Sequence, residues 1–303
     1  MRPWPPITEA QLLTRLALDD EGFRGFVRNL AGALGRRDYE PALLARALRY
    51  PWERPARSYV LRDTDVRLLD DLRSAERRAT ISAYAAGRHP IVAFGSNASP
   101  RALTAKFAHF PDVEDRTVLV LAGDMHGLDV GASASPTVYG AMPATLFDSP
   151  GTAVRAAVLW VTAAQVTQLT WSEISYQLGH LDGARFTADE VDVEVDCLFA
   201  YVSRFGAFCV GGAPVALEAI AATGRTAPAL TQTELLDVAA RLVIGPGAGA
   251  EDLVRAVFDD MTAVVDRAAQ ILWPSGQPLP ADRWTPYPAS DGLRSLDAHR
   301  RRL

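Results

Sequence analysis

Apolar residues recur at helical intervals in the first part of the chain, from Leu12 and Leu16 through Phe23, Phe26 and Val27 to Leu30 and Leu34. That spacing predicts helix with a single apolar stripe, which needs a partner surface. Thr8 and Gln11 have the spacing of a capping box at its start. A short helix is expected over 41–50, stopped by Pro51, and a third over 64–86, with Leu68, Leu72 and Ala75 inward and Gly87 closing it.

The pattern changes at His89-Pro90. Ile91-Val92-Ala93-Phe94 reads as a short buried strand, and strand-like segments follow at 117–122, 137–147, 153–161 and 191–203, with a hairpin partner at 206–210. Helical signals return after Gly211-Gly212. Thr231 and Glu234 form a second capping-box pair, and Leu253, Val257, Met261, Val264 and Ala268 trace another stripe. Gly245 to Gly249 lacks the Lys-Ser/Thr of a phosphate loop and reads as a linker, and Pro274, Pro278, Pro280, Pro286 and Pro288 predict an irregular arm that wraps the body or frays. The chain divides on this pattern into a helical region at 1–88, a β-rich core at 89–210, and C-terminal helices with a proline-rich arm at 211–303. The fold class is α+β, with a mixed sheet or barrel as its core.

Composition narrows the function. The net charge of −5, from 31 Lys and Arg against 36 Asp and Glu among 303 residues, supplies no basic field for nucleic acid or anionic lipid. No apolar run approaches the roughly 20 residues of a membrane span, and the N-terminus lacks the apolar core of a secretion signal, so a cytoplasmic protein is expected. The two cysteines, Cys197 and Cys209, have no further Cys or neighbouring His to complete a metal-ligand set and read as buried thiols. No metal and no cofactor are assigned.

Two stretches carry candidate chemistry. In Phe94-Gly95-Ser96-Asn97-Ala98 a buried strand ends on small polar residues, and Ser99 and Pro100 then suit the N-cap and first position of a helix. Backbone N–H groups at such a junction suit a carboxylate or carbonyl oxygen, and Gly95 permits close approach to the backbone. Further on, a strand at 158–161 runs into Thr162 and Gln165 in capping-box spacing, and the helix they open exits through Trp171-Ser172-Glu173-Ile174-Ser175-Tyr176. The apolar neighbours of Glu173 are suited to desolvate a carboxylate for general acid–base work, and the alternative is a solvated glutamate at a helix end. Tyr139 and Arg155 are pocket candidates from their place in the strands. Asp124, His126 and Asp129 read as a solvated hairpin turn before a metal or proton relay, and a Ser96–His126 triad lacks the nucleophile-elbow glycines.

The order of these features resembles the γ-glutamylcyclotransferase-like family, whose members carry a Tyr-Gly-Ser-Asn type loop after a strand and a later glutamate in a Leu-Asp-x-x-Glu-Gly type segment. The counterparts here are 93–97 and 169–174, and Tyr139 to Phe147 followed by Pro150-Gly151 resembles the family's small-residue strand and its Pro-Gly turn. The resemblance covers 90–210. Phe94, Thr170 and Ile174 depart from the family's usual Tyr, Asp and Gly.

The resemblance implies a γ-glutamylcyclotransferase-like core, a mixed β-barrel or sheet, acting on a small molecule with a γ-glutamyl-like group. The substrate's α-amino group would attack its own γ-carbonyl and release 5-oxoproline, with Glu173 moving the proton. Phe94, Gly95, Ser96, Asn97, Ala98, Tyr139 and Tyr176 would bind substrate. A related hydrolase in which Glu173 activates water, and a non-catalytic binding module on the same fold, are the competing expectations. The oligomeric state and the group joined to the γ-glutamyl moiety stay open.

Overall fold

A computed structural model describes residues 3–189, 194–195 and 197–300, with the side chains of 194 and 296–300 excepted. Three helices open the chain, α1 (Ala10–Leu16), α2 (Asp20–Leu34) and α3 (Pro41–Leu48). The Thr8–Gln11 box does not form: α1 begins behind Glu9, which makes no side-chain cap. Where a long third helix is expected the chain first makes a hairpin, β1 (Tyr59–Arg62) and β2 (Asp65–Leu68), and only then α4 (Ser74–Ala85). Tyr59 and Leu61 are fully buried, so the hairpin contributes to the core.

The chain then forms β3 (His89–Ala93), α5 (Pro100–Phe107), two long strands β4 (Thr117–Ala132) and β5 (Ala144–Val161), and α6 (Ala163–Ser172). Next come β6 (Tyr176–Leu181), β7 (Arg185–Ala188), β8 (Glu194–Val195) and β9 (Leu198–Ser203). Residues 191–193 and 196 of the expected strand over 191–203 lie outside the described residues. Short strands follow, β10 (Cys209–Val210), β11 (Ala213–Pro214), β12 (Ala216–Leu217), β13 (Ala222–Thr223) and β14 (Ala229–Leu230). Helices α7 (Gln232–Val243), α8 (Ala250–Asp259) and α9 (Met261–Ile271), strand β15 (Trp284–Pro286) and helix α10 (Ala289–Arg300) complete the chain. The expected stripe from Leu253 to Ala268 is shared by two helices. It breaks at Asp260, whose carboxylate accepts from the N–H of Ala263 and caps α9.

The architecture is α+β with an open mixed sheet in the order β14-β12-β4-β5-β3-β9-β6-β15. It is not a closed barrel, which corrects that half of the expectation. Most pairs are antiparallel, whereas β3 runs parallel to β9 and β12 to β14. The expected break at Pro150-Gly151 is absorbed into the β4–β5 ladder: pairing steps from His126↔Ala153 to Leu128↔Asp148, so Ser149 to Thr152 bulge out of β5 opposite Gly127. Gly127 takes the required positive φ of 79°. Along its other edge β4 is paired by β1, β7 and β12 in turn, so strands from all three stretches of the chain enter one sheet.

Alternation along β4 sends Leu119 and Leu121 to one core and Val118 and Val120 to the other. The first core packs under α2, α7, α8 and α9, and the second under α1, α5 and α6. Both faces are covered, so the strands read as apolar runs rather than as strict alternation. The proline-rich arm wraps the body, with β15 pairing β6 and Ala289 buried at the start of α10. No described helix is long and apolar enough to cross a membrane.

Candidate active site

Glu173 is the C-cap of α6, where φ −91° and ψ 64° turn the chain out of the helix. The capping box at the other end forms as expected, Thr162 Oγ1 accepting from the N–H of Gln165 at 3.2 Å and Gln165 Oε1 from the N–H of Thr162 at 2.8 Å. The buried guanidinium of Arg15, from α1, donates to the carbonyls of Thr170 and Trp171 and so satisfies carbonyls that the C-terminal end of α6 leaves without intrahelical partners. Thr170 in turn bonds the Tyr201 hydroxyl at 2.8 Å. The turn that carries Glu173 is thus fixed from behind by groups on α1 and β9.

At the front, Glu173 Oε1 accepts from Asn97 Nδ2 at 3.0 Å and from Lys106 Nζ at 2.9 Å, and Lys106 Nζ also donates to Asn97 Oδ1 at 2.6 Å. The three side chains close a triangle that joins the loop after β3, the helix after the loop, and the end of α6. Glu173 and Lys106 retain 14% and 19% of their side-chain exposure, so the pair is partly desolvated yet open to the cleft. Both contacts fall on Oε1. Oε2 takes no hydrogen bond from a described residue.

The carboxylate borders a cleft of ≈1740 Å³, larger than the roughly 300–1,000 Å³ of a common small-molecule site. Of the residues singled out from sequence, Ser96, Tyr139, Glu173 and Tyr176 line it, and Asn97 reaches it through its bonds to Glu173 and Lys106. Phe94 and Ala98 are buried below, where their carbonyls accept from Arg54 Nη1 at 2.9 Å and from the Tyr59 hydroxyl at 3.1 Å.

The loop differs from its expected form. The N–H groups of Ala98 and Ser99 bond inside it, to the carbonyls of Gly95 and Ser96, and the Tyr50 hydroxyl lies against Gly95. A Cβ on Gly95 would stand 2.6 Å from that hydroxyl, so what approaches the glycine closely is Tyr50 rather than a ligand. Ser99 is the N-cap of α5 and Pro100 its first residue, without a side-chain cap bond. Among all described residues no cluster of three His, Cys, Asp or Glu side chains is placed to hold a metal ion.

No protein-family model matches this chain, and no curated protein matches its sequence.

The phenols around Glu173 stay neutral. Burial pushes Tyr50 up to about 12, with the Glu173 charge adding to the rise and the Ala144 and Ser96 amides opposing it. Tyr139 and Tyr176 are pushed up too, first by burial and then by neighbouring phenols and Glu173. Tyr176 donates to the Ala144 carbonyl at 2.7 Å while Tyr50 accepts from the Ala144 amide at 2.9 Å, so one residue of β5 seats both rings. Trp52, held at φ 64°, lies 5.5 Å from the Tyr139 ring, and the Arg46 guanidinium stands over both. Trp171 points away, donating to Glu9 at 2.8 Å, and does not shield Glu173.

Other sequence candidates lie elsewhere. Arg155 binds Asp189 and Asp124 across the sheet and does not line the cleft, and His126 meets Thr187 on β7. Asp129 is fully buried in a bidentate pair with Arg225, at 2.8 Å for both contacts, so 124–129 is the interior of a strand and not a solvated turn.

Lys106 is the residue that sequence reasoning missed. Side chains on a helix lean toward its N-terminus, so a long cation on the second turn of α5 reaches back over the loop that precedes it. Tyr50, Trp52 and Arg54 were hidden because they lie at and beyond the end of the helix predicted over 41–50 and meet the cleft only through tertiary packing.

Proposed function

We propose that the cleft cleaves a γ-glutamyl-type amide by intramolecular attack, with Glu173 as the proton-transfer group. The observation that carries this reading is Glu173 itself, a carboxylate anchored by Lys106 and Asn97 through one oxygen, with the other taking no hydrogen bond from a described residue. A substrate's α-amino nitrogen attacks its own γ-carbonyl carbon and the C–N bond to the leaving amine breaks. Oε2 accepts the proton lost by the attacking nitrogen and returns it to the departing one. Tethering removes up to about 7–11 kcal/mol of the barrier in well-oriented cases, so one well-placed carboxylate and a few donors suffice. The Ser96 hydroxyl and the neutral Tyr139 phenol are uncharged donors on the cleft wall suited to the carbonyl oxygen, since the loop amides of Ala98 and Ser99 are already bonded.

Charge supports a carboxylate-bearing substrate. Arg46, Arg49, Arg54, Arg57, Arg101 and Lys106 line the cleft against only Glu53 and Glu173, in a protein whose net charge is −5. A screen of γ-glutamyl compounds read by mass spectrometry tests the reading, and 5-oxoproline is the expected product. Free glutamate would instead indicate that Glu173 activates water, and binding without turnover would indicate a non-catalytic module.

A further inference from the structure

A second set of chemical groups lies outside the cleft, where β6, the start of β9 and the wrapped arm meet. His180 on β6 is held edge-on by Phe199 at 5.7 Å and Trp4 at 6.4 Å between ring centroids. Its Nδ1 lies 2.7 Å from Asp182 Oδ1, and Asp182 Oδ2 accepts from the Thr285 hydroxyl at 2.6 Å. The Thr285 hydroxyl and His180 hold Asp182 below its ordinary range against the opposing effect of burial, so it is a carboxylate that can only accept. Nδ1 therefore carries the proton, and in the neutral ring the Nε2 lone pair is left to face the Cys197 sulfur at 3.5 Å. The order is carboxylate, imidazole, thiol, with the ring fixed in rotation, tilt and tautomer. The expectation of a buried thiol does not describe Cys197, which is half-buried and faces an imidazole.

Cys209 provides a contrast within the same molecule. It is also half-buried, but its thiol points at the Ala207 carbonyl at 3.5 Å, and burial pushes its pKa up. An oxygen acceptor of that kind does not take the thiol proton.

We propose that Cys197 is a nucleophilic thiol, activated by His180 and Asp182, that exchanges with small disulfides to form a mixed disulfide. Nε2 of His180 takes the thiol proton as Sγ attacks one sulfur of the reagent. The Sγ–S bond forms as the reagent's S–S bond breaks, and the departing thiolate recovers the proton from His180. One thiol and one disulfide are consumed, and one mixed disulfide and one thiol are produced, with no other oxidant. A disulfide suits the place because attack at sulfur needs no oxyanion hole, and the large cleft does not extend to Cys197. Cys197 would then be a modification site independent of Glu173 chemistry.

The test treats the intact protein with oxidised glutathione and follows Cys197 and Cys209 separately by peptide mass spectrometry. Cys197 is expected to react about tenfold or more faster than Cys209. His180→Asn should bring Cys197 to within about threefold of Cys209, and Asp182→Asn should slow it by a smaller factor, since Asn still orients the ring but adds no charge. Should His180→Asn lose its fold, which a thermal melt reports, His180→Gln and Asp182→Asn carry the comparison. Equal rates at the two cysteines in the unaltered protein would overturn the proposal. A Cys197 rate unchanged in folded variants of both His180 and Asp182 would do the same.

Discussion

The protein holds two carboxylate–cation pairs that differ in what they leave unsatisfied. Asp129 and Arg225 meet through two contacts, and Asp129 also accepts from its neighbour's amide, Val130 N–H, at 2.7 Å. Arg225 binds the Ile220 carbonyl as well, so the pair fastens the 220–225 segment onto β4. Glu173 and Lys106 make a pair of the same type, but both ligands fall on Oε1, the other oxygen takes no hydrogen bond from a described residue, and Glu173 borders the cleft. A structural ion pair satisfies its lone pairs because an unmet buried charge is costly, whereas a pair poised for chemistry leaves one open. The second arrangement depends on solvent in the cleft, since a carboxylate oxygen with no partner is tolerable only where water or ligand can reach it.

The two pairs should respond differently to deletion. Asp129→Ala strands the Arg225 guanidinium and should cost about 3–5 kcal/mol in urea unfolding, with cleft chemistry per folded molecule unchanged. Glu173→Gln should cost about 1 kcal/mol or less, because Lys106 keeps Asn97 and the water of the cleft. Equal losses of stability would remove the distinction between the pairs.

Lys106→Met sharpens the comparison from the cation side. It removes one charge-assisted contact from the Glu173 carboxylate and should lower turnover by about ten- to a hundredfold, while the substrate's KM changes little. A rise in KM alone would make Lys106 a substrate-binding cation instead of an anchor for Glu173. A further effect, confined to alkaline pH, concerns the phenols around the cleft. Tyr50 ionises at about 12 in the folded protein against 10.0 in the open chain, so above pH 10 the unfolded state loses its proton first. Stability should be level below that point and then fall by about 1.4 kcal/mol per pH unit for each buried phenol, until the folded pKa is reached. Tyr50→Phe should reduce the slope of alkaline unfolding, and an unchanged slope would assign it to the other buried tyrosines.

Local signals were more legible in the sequence than tertiary ones, although the Thr8–Gln11 box does not form. The Thr162–Gln165 and Thr231–Glu234 capping boxes form as read, because each is completed within one helical turn. Gly87 takes the positive φ that closes α4. Pro150-Gly151 misled, because a bulge in a long ladder accommodates the same residues as a turn between two strands. The β1–β2 hairpin was missed because four-residue strands carry little periodicity, and the partner of β1 on β4 lies far along the chain. At the cleft, the sequence singled out Glu173 and the loop residue Asn97, which lie 3.0 Å apart. The cation that joins them and the tyrosine seated on Gly95 were not visible, since both reach the loop through packing. Cys197 and His180 are separated by the β7–β8 excursion and meet only because β6 and β9 pair.

The central claim is that the open oxygen of Glu173 moves the proton. Its most direct test measures ligand binding and 5-oxoproline release on one preparation of Glu173→Gln beside the unaltered protein, using a γ-glutamyl compound that the latter turns over. The substitution keeps the hydrogen-bonding shape and removes the titrating group. Release should fall by about 10²- to 10⁴-fold with binding retained. Release near the unaltered rate from a folded Glu173→Gln protein would contradict the account and place the chemistry on another group.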